Sequence, residues 1–323
     1  MNAVVEMAAV TKTYRGGILA LNQLELSVPP GGVFGLIGPN GCGKTTTLRV
    51  LLGLARADSG EVSVLGRPVP AGLGSIRGRI GALVETPKFF PRYSGRLNLE
   101  LLAGLKCIAR SHVEVVLERV GLTERADDRF GGYSLGMRQR LAVAGAMLGD
   151  PDLLILDEPA NGLDPAGIAA MREMLASFGS TGRTVLVSSH HLVDVERICD
   201  RIAVVAGGAT MATGTVQEVI GDRHGVVVTV RELERARQVL SAGGFAVDPG
   251  PTPDTISVRG ADGESVARVL GTADLYPSEL RSSTGGLEEA YLRLTGTDPL
   301  AGGHGGIAAP LRDGASHDHG SEA

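Results

Sequence analysis

The sequence predicts an α/β fold with a parallel central sheet, on three observations. The first is the run GLIGPNGCGKTTT from Gly35 to Thr47, which places Gly38, Gly43, Lys44 and Thr45 in the order G-x-x-x-x-G-K-[ST]. The second is Leu153-Leu-Ile-Leu156, an unbroken apolar run ending in Asp157-Glu158, the pattern of a strand buried on both faces. The third is the alternation of strand-like and helix-like segments along the first 220 residues or so, as βα units require.

Residues 3–30 read as strands with turns: Val4–Met7, then Leu24–Val28, then the turn Pro29-Pro-Gly-Gly32. Tyr14 lies between them. Two readings stand for it, a ring that stacks on a base and a half-exposed strand residue. Val33–Ile37 reads as a short buried strand, and Thr46–Leu54 has the leucine spacing of a helix. Strand, glycine-rich turn and helix start together make a phosphate cradle. Gly38, Pro39, Asn40, Gly41, Cys42, Gly43, Lys44, Thr45 and Thr46 supply it, with backbone amides and the helix N-terminus facing the anion. Lys44 is expected to reach the β- and γ-phosphates, and the Thr45 hydroxyl to ligate Mg²⁺. Cys42 reads as a tolerated loop residue.

Asp58–Val62 is a turn entering a strand, and Arg79–Val84 is a strand ending at Glu85. Residues 86–150 change character and read as a helical insertion. Ser94 caps a helix carrying Leu97, Leu101, Leu102 and Leu105, and Val113, Val116, Leu117 and Val120 mark another. Phe89, Phe90 and Tyr93 precede them, either as an exposed docking patch or as core of the helical part. Ser134 opens a helix with Leu141, Val143 and Met147. It is either a second anion site or an ordinary cap. Asp157 and Glu158, at a strand's C-terminal end, are suited to hold Mg²⁺ and to polarise an attacking water. Asp164 closes the loop Asn161–Asp164, and Pro165 starts a helix. Thr184–Ser189 is a further strand ending at His190, either structural or a partner of a γ-phosphate oxygen.

Residues 206–222 read as a closing strand and helix. Beyond them Val226–Val230, Leu233–Leu240, Phe245–Val247, Thr255–Val258, Ser265–Leu270 and Leu275-Tyr276 give the order βαββαβ of a split βαβ, ferredoxin-like α+β unit. A final helix spans Leu287–Leu294. From 299 to 323 the composition is that of a disordered tail. Its sparse histidines do not make a metal site.

Composition narrows the class. A hydrophobic fraction of 43% with 21% charged residues is that of a globular protein with a sizeable core. No apolar run nears the roughly 18 residues that span a bilayer, and the first residues lack a signal-peptide layout. Three unpatterned cysteines suit a reducing compartment. A net charge of −5 supplies no field for nucleic acid, so no nucleic-acid partner is expected.

Taken together, Tyr14, Gly38–Thr45, Glu85, Tyr133-Ser-Leu-Gly-Met137, Leu153–Pro159, Asn161–Asp164 and His190 stand in the order of the ATP-binding cassette ATPases, which the chain resembles over about residues 1–221. The P-loop is common to many NTPases. The signature-like YSLGM just ahead of LLILDEPANGLDP is specific to this family. The chain departs from the usual pattern at Glu85, where glutamine is customary, and at YSLGM, which replaces LSGGQ. Both departures resemble the branch of daunorubicin- and bacitracin-resistance exporters.

The resemblance implies a P-loop NTPase cassette over 1–222 with its helical subdomain at 86–150, an accessory domain over 223–298 and the tail. It implies ATP and Mg²⁺ as cofactors, with Tyr14 on the adenine, Glu158 and His190 catalytic beside Lys44, and Thr45, Asp157 and Glu85 at the metal. Ser134 and Gly136 belong to a second copy's nucleotide in a head-to-tail homodimer, and Asp164 is a further nucleotide-binding residue. The implied partner is a separate multi-spanning permease on the inner face of the cell membrane, with the chain cytoplasmic and peripheral, powering export of a small molecule. The accessory domain reads either as regulatory or subunit-contacting, or as a packing appendage. The rival is a soluble cassette ATPase acting on ribosomes or DNA. Such chains usually carry two cassettes or a long coiled coil, and neither is present here.

Overall fold

A computed structural model describes residues 3–84, 88–221, 224–250, 252–284 and 286–296. The chain begins with strands β1 (Val5–Tyr14), β2 (Ile18–Val28) and β3 (Gly32–Ile37), helix α1 (Lys44–Leu51), and strands β4 (Ser59–Val64), β5 (Arg67–Pro68) and β6 (Ile80–Leu83). Helices α2 (Gly95–Leu105), α3 (Ser111–Arg119) and α4 (Leu135–Met147) follow, then β7 (Leu153–Asp157), α5 (Pro165–Ser180), β8 (Thr184–Ser189) and α6 (Leu192–Ile198). Next are β9 (Arg201–Ala206), β10 (Ala209–Thr215) and α7 (Val216–Ile220). The last part holds β11 (His224–Thr229), α8 (Leu233–Ala242), β12 (Ala246–Pro249), β13 (Thr255–Arg259), α9 (Gly263–Thr272), β14 (Glu279–Thr284) and α10 (Leu287–Thr295).

The central sheet has the order β10-β9-β3-β8-β7-β6, and only its edge pair β9–β10 is antiparallel. Its inner strands β9, β3, β8 and β7 are buried on both faces, so alternate residues feed two cores, as the period of a strand demands. Leu154, Leu156, Val185 and Val187 face α4, α5 and α6. Leu153, Ile155, Leu186 and Phe34 face α1 and the antiparallel sheet β2-β1-β4-β5. Because β3, β7 and β8 run parallel, their C-terminal ends and following loops share one edge. Open α/β sheets bind ligands on that edge.

Several expectations shift in place. Helix α1 ends at Leu51, three residues short of the sequence reading. The chain turns at Gly53, whose φ is +68°, and Leu54 is exposed. The closing segment is the strand and helix expected, β10 and α7, with β10 folded back on β9 as a hairpin that turns through Gly207-Gly208. Both have positive φ, the requirement of a two-residue hairpin turn. In α2 the capping by Ser94 holds, its side chain accepting from the Leu97 amide. Only Leu102 of the four leucines faces the core. Leu99 and Ala103 are the buried pair, while Leu97, Leu101 and Leu105 form an exposed stripe at i, i+4, i+8.

After the hairpin, β12-β13-β11-β14 forms an antiparallel sheet covered by α8 and α9, in the βαββαβ order of a split βαβ unit. Its core is its own, with Val226, Val228, Ile256, Val258, Val266 and Leu270 at the centre. The last strand begins at Glu279, not at Leu275-Tyr276. Leu275 is buried in this core, its amide donating to the Leu270 carbonyl as the chain leaves α9, and Pro277 intervenes before the strand. The tail from 299 onward lies outside the described residues.

Candidate nucleotide site

The turn between β3 and α1 is shaped for close backbone approach. Gly38 sits at φ +158°, where a Cβ would come within 2.2 Å of the Val205 carbonyl oxygen. Gly43, the residue before α1, sits at φ +112°, where a Cβ would meet the Ala20 carbonyl at 2.6 Å. No side chain caps α1 and no acidic residue stands in its first turn. Its leading amides and positive dipole end are therefore left for an external anion. The other two helix starts singled out in the sequence differ. Ser134 accepts from the Met137 amide at the head of α4, and Asp164 accepts from the Gly167 amide at the head of α5. Both act as N-caps in this chain.

Lys44 is buried, its ammonium donating to the Gly38 carbonyl at 2.7 Å and the Pro39 carbonyl at 3.1 Å, and lying 3.5 Å from a Glu158 carboxylate oxygen. The Thr45 hydroxyl donates to Asp157 at 2.7 Å. A third hydroxyl completes the group. Ser188, fully buried near the end of β8, donates to the other oxygen of Asp157 and accepts the Glu158 amide at 3.0 Å. Glu158 holds φ +49°, a left-handed conformation rare for a residue with a long side chain. Ser188 thus fixes both the carboxylate of Asp157 and the turn that aims Glu158. Sequence reasoning missed it. The available signal was a hydroxyl directly after the apolar run Val185–Val187, two residues before His190.

His190 brings Nδ1 to 2.9 Å from the second Glu158 oxygen. The approach is off the line of a good hydrogen bond, so this buried nitrogen has no directed partner. The His191 ring packs on it with centroids 3.9 Å apart. Lys44, Thr45, Asp157, Glu158 and His190 therefore converge. Hydroxyl and carboxylate oxygens at Thr45 and Asp157 are the hard donors that Mg²⁺ takes. Among the described residues no group of three or more His, Cys, Asp or Glu forms a cage.

Other residues named from the sequence stand apart. Tyr14 ends β1 and lines a cleft with Arg49, Leu52, Ala82 and Val84, and the Lys12 ammonium lies 5.6 Å from its ring centroid. Leu135 and Gln139, in the first turns of α4, line a cleft with Asp157, Glu158 and Asn161. Gly136 has open space: a Cβ there would find Leu163 as its nearest neighbour, at 3.7 Å. Cys42 is buried, and burial pushes its thiol up from its ordinary value, against reactivity. Glu85 lies outside the described residues. Phe89 packs into the core against Phe130, while Phe90 and Tyr93 are exposed and touch each other. Among the described residues no helix is long and apolar enough to cross a membrane.

Comparison with known proteins agrees with this geometry. A family model described as ABC transporter matches residues 21–161. The chain is 39% identical to the bacitracin transport ATP-binding protein BcrA of Enterococcus faecalis, over 93% of this chain and 99% of that one. It is 37% identical to the Nod factor export ATP-binding protein I of Burkholderia orbicola, over 92% and 98%. Among solved structures, cbiO1 from Clostridium perfringens, part of the ABC transporter complex cbiONQ, aligns with a TM-score of 0.63 at 25% identity, over 75% of this chain and 96% of that one. An ATP-binding cassette solved as a dimer bound to ADP and Pi aligns with a TM-score of 0.59 at 26% identity, over 66% and 99%. A P-loop whose helix is left uncapped, followed by an Asp-Glu strand end and a histidine at the next strand's end, thus stands in a chain that belongs to the ATP-binding proteins of ABC transporters.

Proposed function

We propose that the chain hydrolyses ATP to ADP and phosphate to drive export of a small molecule through a separate membrane subunit. The observation that carries it is the convergence of Lys44, Asp157, Glu158 and His190 on one sheet edge beside an uncapped helix N-terminus. The backbone N–H groups between Gly38 and Thr46, all but Pro39, which has none, receive the phosphates, and Tyr14 stacks on the adenine. Thr45 and Asp157, with Glu85, hold Mg²⁺, which when bound offsets negative charge on the phosphate oxygens. Glu158 orients a water toward the γ-phosphorus and takes up its proton as the bond to the ADP oxygen breaks. His190 donates to the transferred phosphoryl group. Lys44 follows the charge that develops on the leaving side.

Ser134, Gly136 and Asp164 complete the site of a second copy in a head-to-tail dimer. Phe90, Tyr93 and the exposed stripe Leu97, Leu101 and Leu105 are the surface offered to the permease, which holds the chain on the inner face of the membrane. Two measurements test the reading. Lys44→Ala should lose ATPase activity, and Glu158→Gln should accumulate an ATP-bound dimer visible by size-exclusion chromatography. A Lys44→Ala protein with full turnover would overturn it.

A further inference from the structure

Helix α10 is bound to the cassette, not to the sheet it follows in sequence. Leu287, Ala290 and Tyr291 are buried, and Leu287 and Tyr291 belong to the cassette core with Val216, Val219 and Ile220. The preceding sheet, by contrast, has a separate core. Its first and last strands, β11 and β14, are hydrogen-bonded neighbours, and His224 pairs with Thr284. The chain therefore leaves the cassette after α7 and returns to it for α10 at nearly the same place, about 5 Å apart as paired strand residues are. That is the layout of an inserted domain.

The returning helix touches α6, the helix that follows His190. The N-cap residue of α10, Gly286, offers no side chain, and Glu196 of α6 supplies the missing acceptor to the Leu287 amide at 3.3 Å. At its other end Arg293 donates to the Val219 carbonyl at 3.2 Å, near the C-terminus of α7. Helix α6 is only seven residues long and its N-cap, His191, makes no side-chain capping bond. So short a helix takes its position from its neighbours, here α5, β3 and α10. His190 stands immediately before that N-cap.

We propose that residues 224–284 are an insertion that ATP turnover does not require, and that α10 is a positioning element holding α6, and through it His190, against Glu158. The inference rests on the reading of His190 given above. A signal from the inserted sheet then has a route to the nucleotide site through α10 and α6.

The test compares full-length variants with an excised chain. Glu196→Ala and Tyr291→Ala should each lower kcat about tenfold with KM for MgATP held within about twofold, since only the placement of a reacting group is lost. Glu196→Gln, which keeps an acceptor oxygen for the Leu287 amide, should restore most of the turnover. Replacing 224–284 by a short glycine-serine link of roughly four residues should leave kcat within about threefold of the parent. Parental kcat in Glu196→Ala and Tyr291→Ala overturns the positioning role. An excised chain that does not fold, or that melts cooperatively yet does not hydrolyse ATP, overturns the insertion. His190→Ala is measured alongside. Full turnover there overturns the reading of His190 itself, whereas turnover lost there and kept in Glu196→Ala overturns this inference alone.

Discussion

The central sheet and the C-terminal sheet both carry acids, bases and hydroxyls, yet only one assembles a site. In the central sheet β3, β7 and β8 are parallel, so Lys44, Asp157 and Glu158, and His190 all follow strands that end on the same edge. In the C-terminal sheet every neighbouring pair is antiparallel. Successive strand ends point in opposite directions, and the charged residues are spent on one another: Arg259 with Asp248 at 2.6 Å, Arg281 with Glu279 at 2.9 Å. Parallel topology concentrates chemistry at one edge, and antiparallel topology disperses it.

The sharpest way to break this comparison is at the edge itself. Lys44→Ala and Glu158→Gln should each cost at least about a hundredfold in kcat, the scale of removing a group aimed at the transition state. Steady-state phosphate release measures it. Next comes the support of that edge. Ser188→Ala removes the donor to Asp157 and one acceptor for the Glu158 amide, and should lower kcat by about tenfold while the protein still folds. A parental rate in Ser188→Ala would show that the two carboxylates need no such brace.

Core substitutions then compare the sheets as structures. Ile155→Ala, in a fully buried strand of the cassette, should destabilise by about 2–5 kcal/mol in chemical denaturation. Val228→Ala empties a smaller volume in the separate core of the C-terminal sheet. It should lower the stability of that unit while leaving the ATPase rate unchanged.

Surface charge should matter least. Arg259→Ala breaks a half-exposed ion pair and should change stability by less than about 1 kcal/mol. The capping box of α7 offers a pH test of similar modesty. The Thr215 amide, and then its hydroxyl, hold the Glu218 carboxyl below its ordinary value. A depressed folded-state value means its contribution is present above the unfolded value and lost as pH falls through the folded one. Glu218→Gln should therefore narrow the gap to the parent as acid is added, read as melting temperature against pH.

Much of this is legible in sequence because it is encoded locally. The spacing from Gly38 to Thr45 dictates a turn that only glycine can make, and the run Leu153–Leu156 ending in two acids dictates a buried strand with charge at its mouth. Nothing in the local spacing of α2 tells which leucines face inward. The exposed stripe Leu97, Leu101 and Leu105 and the buried Leu99 are equally helical, and the choice is made by what packs against them. Ser188 becomes part of the site only when β8 pairs with β7 and sets Asp157 opposite it. Helix α10 follows the C-terminal sheet in sequence and so reads as part of that domain, because adjacency says nothing of where a returning chain docks. Short-range sterics and hydrogen bonding write turns and strand ends into neighbouring residues. Facing, pairing and docking arise from contacts between segments far apart in the chain, and those exist only once it has folded.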